Sequence, residues 1–249
     1  MTDSARRPGD DTHELVSRNR LLAALQPSDL LLLTPALKGT SLVARQILEE
    51  PEESISDIYF VLSGIVSVVG KALPGHRIEV GMVGHEGMTG LSVVLGDGRA
   101  AHEMLVQSSG SALRITADAF RTALSKSRTL TSVVLCYAQA FMVQSSQTAL
   151  ANGQGVLEER LARWLLMWND RLQDDNIIIT HEFLAVLLGV RRPGVTQIIP
   201  VLEGRGLIKA SRNLIRIINR AGLKKTANGF YGIPEAEYDR LIGAPQRAA

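Results

Sequence analysis

The chain is poor in the residues from which covalent cross-links and metal sites are built. Its 249 residues include a single cysteine, Cys136. One cysteine excludes an internal disulfide and an iron–sulfur cluster held by four thiolates of one chain. The five histidines are scattered and show no metal-binding spacing such as His-Glu-x-x-His, so we predict neither a metal site nor a bound cofactor. A lone cysteine in an apolar stretch is usually a small core residue, and we expect this of Cys136.

Long apolar runs are also missing. No run reaches the roughly 18 residues that a membrane span needs. The start of the chain, MTDSARRPGDDTHE, lacks the apolar core of a signal peptide. We therefore expect a cytoplasmic protein with no membrane contact. No nucleophile, base and orienting group occur in a recognisable catalytic pattern, so we do not expect an enzyme.

Positive charge is concentrated in one part of the chain. The segment from Gly189 to Lys225 holds nine Lys or Arg residues and one acid, Glu203, which is a net charge of +8. The whole chain carries only +2, so the remaining residues together carry −6. Such an asymmetry is typical of a module that binds a polyanion, attached to a body that does not.

The pattern of apolar residues in and before this segment predicts a helix, a tight turn and a second helix. Thr180 can cap the first helix, Gly189 ends it, and Pro193 suits the first turn of the second. The apolar positions recur at spacings of three and four: Leu184, Leu187 and Leu188, then Val195, Ile198, Ile199 and Leu202. Two short strands are predicted next, at Leu207 to Ile208 and at Leu214 to Ile218. The unit is a winged helix-turn-helix.

The residues predicted to contact nucleic acid lie off the apolar face. They are Arg191, Arg192, Gly194, Thr196 and Gln197 around the start of the second helix, with Lys209 and Arg212 in the wing. Arginine can bond a guanine edge with two hydrogen bonds, and glutamine can do the same for adenine. We expect Lys209 and Arg212 to meet phosphates. The alternative is that Arg191 and Arg192 merely keep this face soluble. Pro200 predicts a kink or an early end of the helix.

The residues between about Ser41 and Ile115 carry strand signals. The apolar run from Ile58 to Val69 is broken once, by Gly64, which predicts two strands or one sharply bent strand. Further short elements are predicted as strands at Arg77 to Val83, Met104 to Ser108 and Ala112 to Ile115, and as helices after Asn19 and over Ala117 to Leu124. Many short strands at regular spacing indicate a small barrel or roll.

A long helix is predicted from about Thr129 to Ala151, a segment without proline or glycine. Residues at spacings of three and four form one stripe along it: Val134, Tyr137, Phe141, Gln144 and Thr148. The stripe is either a dimer seam or a contact with its own domain, and the two-fold symmetry of many DNA sites favours the seam. Asn152 to Gly155 then break the helix. An amphipathic helix with Trp164 and Trp168 is expected to follow and to pack under the DNA-binding unit.

In its domain order and in the segment THEFLAVLLGVRRPGVTQIIPVLEGRGLI, the chain resembles the cyclic-AMP receptor protein and fumarate-nitrate regulator (Crp/Fnr) family of bacterial transcription regulators. The resemblance implies an α+β fold with an N-terminal cyclic-nucleotide-binding-like β-roll, a long central dimerisation helix and a C-terminal winged helix-turn-helix. We expect a disordered tail at residues 1–18, the roll at 19–127 and the central helix at 128–152. The DNA-binding domain is expected at 153–223, and a C-terminal extension at 224–249. The resemblance also implies a homodimer that binds a palindromic operator in double-stranded DNA, with RNA polymerase as a further candidate partner.

The loop that would hold an effector departs from the family's pattern. Members that bind cyclic nucleotides hold the ribose with a glutamate, and the phosphate with backbone amides and an Arg-Ser pair. Gly90 and Arg99 match this pattern, but Leu91 stands in place of the glutamate and Ala100 in place of the serine. A leucine accepts no hydrogen bond, and an unpaired buried hydroxyl costs roughly 1–3 kcal/mol. We therefore expect that cyclic AMP is not bound in the usual way.

Two functions of different classes follow from these patterns. The preferred one is a dimeric transcription regulator. The alternative is a nucleotide-sensing regulatory module whose C-terminal unit grips a protein partner. Replacing Arg191 and Arg192 by Ala distinguishes them, because only the first predicts lost DNA binding with an intact dimer. The break at Asn152 to Gly155 further predicts that a signal in the roll rotates the DNA-binding units, which requires a ligand that prefers one orientation.

Overall fold

A computed structural model of the chain describes residues 15–73, 76–172 and 174–243. The first elements are two short helices, α1 (Arg20–Ala23) and α2 (Pro27–Leu33), and a 3-10 turn (Thr34–Ala36). Asn19 caps α1 as predicted, because its side chain accepts a hydrogen bond from the Leu22 amide at 2.9 Å. Of the predicted disordered tail, residues 1–14 lie outside the described residues. Residues 15–17 are helical and Val16 is buried, so the ordered chain begins before the predicted boundary.

The sensor domain is built on one antiparallel sheet of five strands. They are β1 (Lys38–Leu42), β2 (Ile47–Glu49), β3 (Asp57–Lys71), β4 (Arg77–Val83) and β5 (Glu103–Thr116). Their order is β1-β5-β3-β4, and β2 also pairs with β5. The two segments predicted before Thr116 are one continuous strand, β5. The chain around Gly64 likewise forms a single bent strand, because Gly64 has a φ of +85° and a side chain there would strike the backbone of Ser108.

Three helices complete the sensor domain, one between β4 and β5 and two after β5. They are α3 (Leu91–Val94), α4 (Ala117–Lys126) and α5 (Arg128–Gln154). α5 is the predicted long helix, and it runs three residues further than the Ala151 predicted. The break lies at Gly155, which has an extended backbone. Cys136 is half-buried on α5, so it is not the core residue that we expected.

The predicted dimer stripe packs inside its own chain. Val134, Tyr137, Gln144 and Thr148 are buried, and Phe141 reaches so close to Gly81 that a side chain there would clash with its ring. The Tyr137 hydroxyl hydrogen-bonds the backbone of Met88, and the Gln144 amide bonds both backbone groups of Met82. The expectation that this stripe is the dimer seam is therefore wrong. The polar ends of these residues bond the backbone of β4 and of the loop after it, which an apolar seam would not require.

The C-terminal part is a winged helix-turn-helix on a supporting helix. Its elements are α6 (Leu157–Leu172), β6 (Asn176–Ile178), α7 (His181–Leu187), α8 (Arg192–Gly204), β7 (Ile208–Ser211), β8 (Leu214–Ile217) and α9 (Arg220–Thr226). The predicted apolar positions of α7 and α8 are buried, except Ile198, which is partly buried. The sheet order β6-β8-β7 adds a third strand, β6, that the sequence patterns did not predict.

Helix α6 joins the DNA-binding domain to the sensor sheet. Ile65 and Met82 of the sheet belong to the same buried cluster as Trp164 and Trp168 of α6. The Trp164 indole donates a hydrogen bond to Glu79 Oε1 at 2.9 Å. Any rotation of the DNA-binding domain about Gly155 must therefore separate this buried contact.

The C-terminal extension is ordered and docks on both domains. Leu223 and Ala227 are buried in the core of the DNA-binding domain, so the predicted boundary at residue 223 falls inside the helix α9. A last helix, α10 (Ile233–Ile242), packs against α5. From α10 the Tyr238 hydroxyl donates to the Glu86 carbonyl oxygen at 2.6 Å. Asp239 pairs with Arg20 at 2.8 Å.

Among the described residues, no single helix is long and apolar enough to cross a membrane. One bent pair, α7 with α8 at 103°, has the length and composition to do so.

Candidate nucleic-acid interface

The geometry of the two-helix unit follows from its caps and its turn. The Thr180 hydroxyl accepts the Phe183 amide at 3.1 Å and begins α7, as predicted. Gly189 has a φ of +60°, and a Cβ there would lie 2.6 Å from the Ile78 side chain. Only glycine adopts this positive φ readily and also fits in the space next to Ile78. Gly189 therefore fixes both the turn and its position against the sensor sheet. Arg191 then precedes α8, which has Pro193 in its first turn.

The predicted base-reading side chains are exposed on one helix. Arg191, Arg192, Thr196 and Gln197 all face solvent at the start of α8. Gly194 is partly buried, and a Cβ there would lie 3.2 Å from Leu157, so this glycine positions α8 on the supporting helix. The nearest carboxylate to Arg192 is that of Glu182, at 3.7 Å, and both side chains are more than half exposed. A pair of this kind is weak and leaves Arg192 available to DNA.

Thr196 is partly engaged within the unit. Its hydroxyl donates to the Arg192 carbonyl oxygen at 3.2 Å. His181 Nδ1 lies 3.3 Å from the same hydroxyl oxygen. His181 was not among the predicted contact residues, because its nearness to α8 depends on the turn between the helices. It belongs to the surface that presents the predicted side chains.

The wing carries a pair of like charges. β7 and β8 are antiparallel, and Lys209 lies directly opposite Arg216. Like charges at opposed positions destabilise a strand pair unless an anion lies between them. The turn between the strands holds Arg212, which is exposed, and Asn213, which has a φ of +59°. Arg216 is the wing residue that sequence reasoning missed, and the signal that finds it is the strand register.

The nine cations of the basic segment divide into paired and unpaired groups. Arg192, Arg205 and Arg220 form ion pairs with Glu182, Glu158 and Asp170. Within the described part of the chain, no carboxylate lies within 4.0 Å of the other six: Arg191, Lys209, Arg212, Arg216, Lys224 and Lys225. The unpaired cations include three of the four charged residues that we predicted to contact DNA.

Pro200 does not end α8. The helix continues through it to Gly204, so of the two predicted alternatives, a kink or an early end, the early end is wrong. Proline has no amide proton, and the carbonyl of Thr196 consequently loses its partner in the helix. Pro200 is exposed, so water can replace that partner.

The candidate effector loop is closed by the protein's own groups. The Gly90 amide donates to Glu49 Oε1 at 2.7 Å, and the Thr89 hydroxyl also bonds this carboxylate. Burial raises the pKa of Glu49 from 4.5 to about 7, against the opposing effect of these two hydrogen bonds. Gly90 has a φ of +76°, and a Cβ there would meet Ile58 at 2.7 Å. The backbone amide that we matched to the phosphate site is therefore already bonded to a carboxylate.

The other three predicted effector residues offer little to a nucleotide. Leu91 is half-buried and packs on the sensor core. The Arg99 side chain is 64% exposed, and its nearest carboxylate is that of Glu52 at 3.9 Å. Ala100 is buried, and its backbone groups bond those of Glu52 and Glu53. Within residues 15–73, 76–172 and 174–243, no three His, Cys, Asp or Glu side chains are grouped so as to hold a metal ion.

Two family models match the chain. Residues 40–127 match the cyclic nucleotide-binding domain, and residues 159–226 match the Crp-like helix-turn-helix domain. No curated protein matches the chain in sequence.

Several solved structures share the fold. A protein of the Crp/Fnr family from Eubacterium rectale matches with a TM-score of 0.65 at 19% identity, over 86% of this chain and 100% of that one. The c-di-GMP-responsive global regulator CLP from Xanthomonas campestris has a TM-score of 0.64 at 14% identity, over 77% and 99% of the two chains. FixK2 from Bradyrhizobium japonicum has a TM-score of 0.66 at 16% identity, over 76% of this chain and 96% of that one.

Proposed function

Because the chain belongs to the Crp/Fnr family of transcription regulators, we propose that it acts as a homodimer that reads a palindromic operator in double-stranded DNA. Members of this family are regulators rather than enzymes, and the Crp-like helix-turn-helix is their DNA-binding unit. The observation that carries the proposal is the exposed, cationic start of α8, which stands on a buried and well-packed helix pair.

The division of labour among the contact residues follows from their chemistry. Arg191, Arg192, Thr196 and Gln197 read base edges in the major groove, and Gly194 keeps α8 close to its support. Lys209 and Arg212 of the wing contact phosphates, and Arg216 joins them because it lies opposite Lys209. Phosphate contacts hold the protein in register, and base contacts give it specificity. RNA polymerase remains a candidate partner, which pull-down with the purified polymerase would test.

The dimer seam lies on the free face of α5. Residues at alternating spacings of three and four are exposed there: Ser132, Leu135, Gln139, Met142, Ser146 and Ala149. Leu135 is 44% exposed and Met142 is 58% exposed, both high for apolar residues on a helix of this length. A stripe of this period favours a second, parallel helix of the same kind. This exposed stripe takes the place of the predicted seam through Val134, whose residues pack against their own chain.

The roll does not take cyclic AMP in the usual way. The buried Glu49 side chain accepts the Gly90 amide, so this amide is not free to bond a phosphate. Leu91 and Ala100 supply neither the ribose acceptor nor the hydroxyl of the family's pattern. Equilibrium dialysis with labelled cyclic AMP is expected to give no saturable binding. Saturable binding that survives replacement of Arg99 by Ala would require another site, and binding that Arg99→Ala abolishes would overturn this part of the proposal.

Fluorescence anisotropy tests the DNA contacts. Operators come from immunoprecipitation of bound chromatin followed by sequencing. The variant Arg191→Ala/Arg192→Ala removes two base contacts worth about 1–3 kcal/mol each, so its affinity should fall by at least roughly tenfold. The control Lys126→Ala/Arg128→Ala makes the same change of charge on an exposed part of the sensor domain and should leave affinity unchanged. Equal losses in both variants would mean that charge alone, and not this helix, governs binding.

Sedimentation equilibrium tests the seam separately. Met142→Asp places a charge in each half of the proposed seam, and we expect it to give monomers because two buried carboxylates would face each other. Leu31→Asp makes the same change at another exposed apolar position, 68% exposed, and should leave the dimer intact. A dimeric Met142→Asp protein would contradict the proposed seam without affecting the DNA contacts.

A further inference from the structure

A cavity of about 310 Å³ lies where the sensor domain, α5, α6 and the C-terminal extension meet. Its walls include His85 from the loop after β4, Ala140 from α5, Arg171 from α6 and Pro234 from α10. The volume is at the lower end of the range for small-molecule sites, about 300–1,000 Å³. Neither Gly90 nor Arg99 lines the cavity, so it does not include the predicted phosphate position, although Glu86 at the start of the effector loop lies in its wall.

Four aromatic side chains line the cavity: Tyr137, Phe141, Tyr231 and Tyr238. The three tyrosine hydroxyls are already committed to protein partners. Tyr137 bonds Met88, Tyr231 donates to Asp170 at 2.7 Å, and Tyr238 donates to Glu86 at 2.6 Å. The rings therefore offer a ligand mainly their apolar and π surfaces. Such surfaces attract flat rings and organic cations.

Carboxylates outnumber cations in the walls. Four of them line the cavity, and three are paired with arginine: Glu86 with Arg171, Asp239 with Arg20, and Asp170 with Arg220. Glu235 is the fourth, and among the described residues no Arg, Lys or His nitrogen lies within 4.0 Å of its carboxylate. Its Oε2 accepts the Gly232 amide of the helix cap at 3.0 Å, and its own backbone amide also bonds the carboxylate. Burial is the largest cause that raises the pKa of Glu235, and the more distant charges of Arg171 and Arg163 only partly oppose it, as expected of a carboxylate with no cation within 4.0 Å.

We propose that this cavity binds a small aromatic amine, whose ammonium group pairs with Glu235 and whose ring lies among the tyrosines. The ammonium would supply the counter-ion that the fourth carboxylate lacks. A phosphate or carboxylate ligand would instead meet an excess of negative charge. A neutral ring would leave the half-buried Glu235 carboxylate with no cation of the described residues within 4.0 Å.

The position of the cavity gives such a ligand a structural effect. Arg171 belongs to the DNA-binding domain's supporting helix, and Tyr137 belongs to the helix that carries the proposed dimer seam. Tyr238 belongs to the extension. A bound amine contacts all three and stabilises the arrangement in which they meet, which links this site to the orientation of the DNA-binding domain.

Isothermal titration calorimetry on the full-length protein tests the site. The probes are 2-phenylethylamine, tyramine and tryptamine, with 2-phenylethanol as the neutral match of the first. At least one amine should bind saturably, and 2-phenylethanol should bind at least roughly tenfold more weakly than 2-phenylethylamine, the order of a lost charge-assisted contact. No saturable binding by any of the three amines would overturn the proposal, as would equal affinity for the amine and the alcohol.

Matched variants locate the bound amine. Glu235→Gln keeps an oxygen for the Gly232 cap and removes the charge, so it should weaken amine binding at least roughly tenfold while leaving the thermal midpoint close to that of the parent. Glu237→Gln makes the same change at a carboxylate of α10 that pairs with Arg240 and does not line the cavity, and it should bind as the parent does. Ala140→Leu fills the cavity and should abolish binding, whereas Ala236→Leu, on an exposed position, should not. Amine binding that is unchanged in both Glu235→Gln and Ala140→Leu places the ligand elsewhere and refutes the assignment.

Discussion

Glu79 offers a direct test of how the sensor sheet is joined to the DNA-binding domain. It is buried, and its carboxyl oxygens contact the Ser67 hydroxyl at 2.6 Å and the Trp164 indole at 2.9 Å. Burial raises the pKa of Glu79 from 4.5 to about 7, and the two hydrogen bonds only partly oppose this. The perturbation that we consider is Glu79→Gln, which keeps the size of the side chain and removes its titration.

The sign and size of the effect follow from proton linkage. Between pH 4.5 and about 7, the folded protein holds a proton on Glu79 that the unfolded chain has lost, so stability falls as pH rises. The contribution is fully present below pH 4.5 and is lost above about pH 7. Each pH unit in that interval lowers the free energy of unfolding by about 1.4 kcal/mol, which gives a loss on the order of 3 kcal/mol in total.

The assay is urea unfolding followed by tryptophan fluorescence at several pH values between 4.5 and 8. The free energy of unfolding of the parent minus that of Glu79→Gln should decrease by on the order of 3 kcal/mol across this range. The difference cancels the titration of all other groups. Glu53→Gln, at an exposed position, is the control and should give a curve parallel to that of the parent. A Glu79→Gln curve that is also parallel would refute the reasoning.

Three further variants test other contacts. Asn19→Ala removes three hydrogen bonds, two of which hold the carbonyls of Val61 and Gly87, and should lower the free energy of unfolding by roughly 3 kcal/mol in a urea titration. Pro200→Ala restores an amide to α8 and should raise the thermal midpoint, by up to about 3 kcal/mol in stability; a lower midpoint would mean that the proline is accommodated without cost. Arg216→Ala should weaken specific and non-specific DNA binding alike and reduce the slope of log affinity against log salt by about one per protomer; an unchanged slope would remove Arg216 from the interface.

The DNA-binding unit was predictable because its signals are local. Thr180, Gly189 and Pro193 act within one or two turns of chain, and each has the role that its residue type predicts. Sequence spacing alone also gave the long helix α5. The bend of β3 required the structure, since Gly64 is compatible with either a turn between two strands or a bend in one.

The assignment of the α5 faces failed for a physical reason. A helix that carries apolar residues on two faces is ambiguous, and residues such as Tyr137 and Gln144 fit a seam or a domain contact equally well by spacing. The polar atoms distinguish the two faces, because Tyr137 bonds the backbone of the loop after β4 and Gln144 bonds the backbone of β4, both more than 45 residues away in sequence. Met142, with no polar atom to satisfy, lies on the face left free.

Contacts between distant segments also explain what was missed around the two candidate ligand sites. Glu49 and Gly90 are 41 residues apart, and no spacing rule joins them. The docking of Tyr238 on Glu86 spans 152 residues. The sequence analysis placed the extension only by its residue range, and only the tertiary structure shows where it docks.

A hydroxyl-radical footprint of the protein on an operator fragment tests the central claim most directly. Two helix-turn-helix units related by a two-fold axis should protect two patches on one face of the duplex, with centres about 34–36 Å, or one helical turn, apart. The account predicts these paired patches, lost together in Arg191→Ala/Arg192→Ala. A single protected patch, or two patches on opposite faces of the duplex, would contradict it.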